Sequence, residues 1–161
     1  MELLQNLLSQ SKSTKDLVPQ SSTASIAQRG NIKSSFLSQK LTGEGWIVDS
    51  GASDHMTGSA TIFCTYGKCV DDIRVTVADG THSTVAGQGH IDLSSLKLQN
   101  VLHVPFLQCN LLSVRKITKD LNCAVTFFPS HCVFQDLSLG RMIGNAEERN
   151  GLYYLSGVCS P

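Results

Sequence analysis

The chain has 161 residues, 41% of them hydrophobic, and its thirteen Lys or Arg residues cancel thirteen Asp or Glu. That length holds one domain and a tail, and the cancelled charge provides no global field toward nucleic acid or an anionic membrane, so neither partner is expected. No apolar run reaches the ~20 residues that a bilayer span needs, and residues 1–15 lack the basic start and apolar centre of a secretory signal; a soluble, cytoplasmic protein is expected.

Residues 1–43 are rich in Ser, Gln, Thr and Lys, with apolar residues too sparse to build a core, and read as a disordered linker. Leu3, Leu4, Leu7 and Leu8 have helical spacing, but two turns are marginal alone. The folded domain is expected over residues 44–157, and its short runs separated by turn residues predict a mainly β fold.

Trp46-Ile47-Val48 runs straight into Asp49, Ser50 and Gly51, so a buried strand delivers a carboxylate to a tight loop completed by Ala52 and Ser53. Aspartate is seldom buried without a purpose. The chemistry that wants this arrangement is that of an aspartic peptidase, in which two carboxylates about 3 Å apart share one proton and activate a water. The triplet Asp49-Ser50-Gly51 occurs once, so a dyad requires two chains meeting across a two-fold axis. In that reading Ser50 hydrogen-bonds across the dimer and Gly51 lets the backbone approach the carboxylate.

Asp54 and His55 lead away as a polar strand exit, since neighbouring side chains point apart and cannot form a hydrolase triad. Ile62-Phe63-Cys64 is the next expected strand, and Asp71-Asp72 a solvated strand start. Ile73, Val75 and Val77 alternate with polar residues up to an Asp-Gly turn at Ala78-Asp79-Gly80-Thr81. The returning strand passes Val85, Gly87, Gly89 and Ile91, with the glycines loosening it, and Leu96 to Val104 continue the pattern. Asn110 is placed as the N-cap of a short helix through Ile117. Two hairpins follow: Ala124 to Phe128 with Cys132 to Gln135, and Met142-Ile143 with Leu152 to Leu155 across a polar loop containing Asn150-Gly151.

Six cysteines, Cys64, Cys69, Cys109, Cys123, Cys132 and Cys159, are expected to stay reduced, with Cys64, Cys109, Cys123 and Cys132 acting as small core hydrophobes. Cys64 and Cys69 with His82 or His103 could begin a zinc site, but no second pair of suitable spacing follows, and no metal is expected.

The segments Trp46 to Gly58, Val77 to Ile91, Val101 to Val114 and Gly151 to Gly157, in this order, resemble the protease region of copia-type long-terminal-repeat retrotransposon polyproteins. The resemblance covers roughly residues 44–157. It implies a retropepsin-like closed β-barrel with one short helix, acting as a homodimeric aspartic endopeptidase on a polypeptide substrate, with no cofactor. It also implies that Asp49, Ser50 and Gly51 form the catalytic triplet and that the hairpin tip at Val77, Ala78, Asp79, Gly80 and Thr81 is the flap over substrate. Ala52, Ser53 and the triplet Leu111-Leu112-Ser113 would support the loop, with Ser113 where retropepsin-like folds usually carry Gly. Residues from about 140 could belong to a pre-integrase region, and a catalytically inactive dimerisation or peptide-binding module is the alternative to an enzyme.

Overall fold

In the computed structural model the described residues are 22–23, 45–77, 80–94 and 96–157. The linker and its leucine-spaced start therefore lie largely outside them, as do Ala78, Asp79 and Cys159.

Strand β2 (Trp46–Asp49) is buried at all four positions, and so is β9 (Asn110–Ser113). The two lie parallel, with Trp46 opposite Asn110, Ile47 opposite Leu111, Val48 opposite Leu112 and Asp49 opposite Ser113. Parallel strands covered on both faces read as continuous apolar runs, which is what Trp-Ile-Val and Leu-Leu supply. Because side chains alternate, this pair divides the interior. Trp46, Val48 and Leu112 enter one apolar cluster with Ile117 and Phe134, whereas Ile47 and Leu111 enter another with Ala52, Met56, Val75 and Leu102.

The remaining strands extend the pair in both directions. On one side β9 is followed by β3 (Met56–Thr57), β8 (Lys97–His103), β7 (Gly87–Asp92) and β4 (Thr65–Lys68). On the other, β2 is followed by β13 (Leu152–Leu155), β12 (Met142–Arg149), β11 (His131–Asp136) and β10 (Cys123–Phe127). A smaller sheet joins β1 (Ser22–Thr23), β5 (Arg74–Thr76) and β6 (His82–Thr84). Among the described residues the fold is mainly β with one short helix, α1 (Val114–Asp120), as expected, but the expected closure is absent. The ten-stranded sheet is open among the described residues, because β4 and β10 end it without pairing to each other.

Three local expectations give way. The helix does not open at Asn110: Leu111 and Leu112 are fully buried against β2, which demands extended backbone, and the N-cap is Ser113, whose hydroxyl accepts the Lys116 N–H at 3.1 Å. Residues Ala60–Ile62 form a 3-10 turn, and the next strand begins at Thr65, after the expected Ile62-Phe63-Cys64 segment. The supposed polar loop before Asn150 is the strand β12, sandwiched between β11 and β13; Asn150 and Gly151, at φ 56 and φ 85, make its two-residue turn.

Candidate functional site: the Asp49 loop

The carboxyl of Asp49 closes β2 at the point where Ser50 and Gly51 emerge to solvent. Its Oδ1 accepts the Gly51 N–H at 2.7 Å, and the other oxygen, Oδ2, is buried with no hydrogen-bond partner among the described residues. Burial raises the Asp49 pKa above the ordinary carboxylate value, while the N–H groups of Gly51 and Ala52 oppose the rise. No ion pair involves Asp49 among the described residues. Half-buried Cys109 lies within its electrostatic reach, and burial followed by the Asp49 charge pushes that thiol up to about 11.

The loop is tied from below. Ser113 Oγ donates to the Ala52 carbonyl at 2.6 Å, and the Ser113 N–H donates to His55 Nδ1 at 3.1 Å. One serine thereby holds the loop, caps the helix and anchors the imidazole. A glycine could provide only the last of these bonds. Because Nδ1 accepts, the neutral ring carries its proton on Nε2. Burial, then the charge of Lys116, lowers the His55 pKa to about 4. His55 is 1% exposed, so it is a buried brace and not the polar strand exit expected. Lys116 Nζ lies 4.0 Å from Asp54 and 3.7 Å from Asp120, while the Ser53 hydroxyl donates to Asp54 at 3.0 Å. A second brace joins Thr57 Oγ1 to Asn110 Oδ1 at 2.7 Å, and both residues are buried. No sequence motif marks His55, Thr57 or Asn110 as supports of the loop. The available signal is a polar residue set inside an apolar run, which local periodicity assigns to a cap or an exit.

The expected flap is a hairpin whose tip is closed by the Val77 N–H donating to the Thr81 carbonyl at 2.9 Å, with Gly80 at φ 83. Its base is anchored by Val75 and Val85, both in the apolar cluster that contains Ile47 and Ala52. Gly87 and Gly89 have a different purpose from loosening a ribbon. A Cβ at Gly87 would lie 2.5 Å from the Tyr66 ring and one at Gly89 1.8 Å from the Thr65 carbonyl oxygen, so close strand packing requires glycine at both.

The five cysteines within the described residues are free thiols. Cys123 and Cys132 are core residues as expected, but Cys64 is exposed. Cys64 is grouped with His90 and Asp92, not with Cys69 and His82 or His103. His103 instead meets Tyr66 Oη through Nδ1 at 2.9 Å, and His82 approaches Thr76 Oγ1 at 3.2 Å. Among the described residues no helix is long and apolar enough to cross a membrane.

Residues 46–121 match the family model described as the Pol polyprotein β-barrel domain. Two Arabidopsis thaliana proteins align with most of the chain. The retrovirus-related Pol polyprotein from transposon RE1 is 29% identical over 121 residues, covering 73% of this chain and 8% of that protein. The one from transposon RE2 is 26% identical over 153 residues, or 92% of this chain and 10% of that protein. The corresponding polyprotein from transposon TNT 1-94 of Nicotiana tabacum is 35% identical over 80 residues, 47% of this chain and 6% of that protein. The chain thus spans a tenth or less of the curated relatives it matches. No solved structure gives a significant match. By these alignments the chain is similar to retrovirus-related Pol polyproteins of plant transposons, and its residues 46–121 match a Pol polyprotein β-barrel domain.

Proposed function

We propose that this domain is one half of a homodimeric aspartic endopeptidase that hydrolyses peptide bonds in a Pol-type polyprotein. The observation that carries the reading is the Asp49 carboxyl: one oxygen is fixed by a backbone N–H, and the other is buried beside an exposed loop with no hydrogen-bond partner among the described residues. A buried acceptor left unmatched is costly within one chain, and a second carboxyl or a shared water brought by a symmetry mate relieves that cost. Both carboxyls cannot ionise at such proximity, so one keeps a proton and polarises the scissile carbonyl while the other deprotonates the attacking water. Products leave without a covalent intermediate. Ser50 and Gly51 shape the meeting loops, Ala52 and Ser113 hold them level, and the Val77–Thr81 tip covers the peptide.

The raised pKa of Asp49 supports activity at mildly acidic pH, where a single shared proton is retained. The test pairs sedimentation across concentrations with a pepstatin-sensitive cleavage assay. Cleavage that rises with the dimer fraction and disappears in Asp49→Asn is the expected result. A strict monomer, or cleavage unchanged in Asp49→Asn, would falsify the reading, and a dimer that never cleaves would make the domain a dimerisation module.

A further inference from the structure

We propose that Cys64, His90 and Asp92 form a binding site for one divalent metal ion of the zinc class. Their three candidate ligand atoms all lie within 4.8 Å of one another. Thiolate, imidazole and carboxylate together suit zinc, whereas calcium and magnesium prefer all-oxygen sets. The charges also balance, since a thiolate and a carboxylate neutralise a dication.

The strands present these groups together. His90 and Asp92 alternate along β7 and so share a face, while Cys64 immediately precedes β4 and donates its N–H to the His90 carbonyl at 3.0 Å. Between the two β7 ligands, Ile91 is 2% exposed and fixes the strand to the apolar interior. Thr65, opposite His90 in the register, hydrogen-bonds its Nδ1 and also accepts its backbone N–H at 3.4 Å. That contact orients the ring and leaves Nε2 to bind the ion, as an outer-shell partner does for metal-bound histidine. Cys64 and Asp92 are exposed, which gives the ion a route in. Three protein ligands leave the fourth tetrahedral position to water. The bound ion fastens the start of β4, an end strand of the sheet, to β7, at the base of the ribbon that leads to the Gly80 turn. It shares no residue with the Asp49 loop and stands whether or not the chain cleaves peptides.

Titration of the purified, reduced chain with cobalt(II), followed by zinc competition, tests the site. One equivalent with a thiolate-to-cobalt charge-transfer band is expected, lost in Cys64→Ser and kept in Cys69→Ser. His90→Gln and Asp92→Asn should each weaken binding at least about tenfold, and Thr65→Ala about tenfold through the ring it orients. Zinc should also raise the thermal midpoint of the wild-type chain and leave that of Cys64→Ser unmoved, with circular dichroism confirming that the variant folds. The proposal is overturned by a wild-type titration without the band, by a band that survives Cys64→Ser, or by undiminished affinity in either His90→Gln or Asp92→Asn.

Discussion

The β2–β9 pair and the β4–β7 ribbon are both built from short strands, yet they use their polar residues in opposite ways. Around the first, Asp49, His55, Thr57, Asn110 and Ser113 are all 9% exposed or less; bonds between distant segments hold His55, Thr57, Asn110 and Ser113, and Asp49 accepts locally from Gly51. In the second, every residue of β4 is exposed and the Thr65–His90 contact lies at the surface, with only the Tyr66 hydroxyl reaching inward to His103. Buried hydrogen bonds resist displacement because breaking one strands a desolvated group, whereas exposed ones exchange with water at little cost. Position is therefore fixed around the carboxyl, and tolerance to change belongs to the exposed side chains of β4, not to the glycines of β7 that pack against it.

The largest effect expected is on turnover. Asp49→Asn should lower peptidase activity on the order of 10³-fold, the scale of a lost acid or base, and at neutral pH should raise the stability of the folded chain. The sign follows from the raised pKa: the folded chain keeps the proton to higher pH than the unfolded one, so stability present below the ordinary value of 3.8 is lost as pH rises through the folded value. Removing the charge removes that loss. Urea unfolding of both proteins at pH 4 and pH 7 checks this, and an Asn variant less stable at neutral pH would contradict it.

Next comes packing. Leu112→Ala, in a side chain fully buried between β2 and the helix, should cost about 2–5 kcal/mol, while Tyr66→Ala on β4, 39% exposed, should cost less. Equal costs would erase the contrast between the regions. The third effect is a pH dependence of opposite sign. His55 stays neutral in the folded chain down to about 4, so the unfolded chain takes up the proton first, and about 3 kcal/mol of stability is lost as pH falls from 6.5 to about 4. His55→Gln should flatten that window in urea titrations while its amide oxygen still accepts from Ser113. The smallest is Ser113→Ala, which deletes the cap and the bond to Ala52 and should cost about 1–2 kcal/mol, with substantial recovery in Ser113→Thr.

How far these regions were legible in the sequence follows the same division. The Asp49 loop could be read because an apolar run that ends in Asp-Ser-Gly states its own burial and its own turn. The β5–β6 hairpin could be read from alternation and Asp-Gly. Asn110 misled because Leu111, Leu112, Val114 and Ile117 satisfy a helical period equally well, and only the facing strand β2 decides that the first two are extended. His55 and Thr57 were hidden for a related reason: their burial is imposed by β8 and β9, some fifty residues away in the chain. β12 escaped notice because its polar residues lie between two partner strands whose backbones, not side chains, satisfy it.

The alternation along β2 has one more consequence. Since Val48 and Asp49 project into opposite halves of the molecule, loss or gain of a single amino acid between Gly45 and Asp49 would rotate the acid half a turn, away from Ala52 and toward the compartment of Trp46 and Phe134. Substitutions along those few positions can be absorbed by repacking, but a change in their number cannot. The acid's location is thus a matter of counting residues, and length variation at this strand should be far less tolerated than variation in side-chain size.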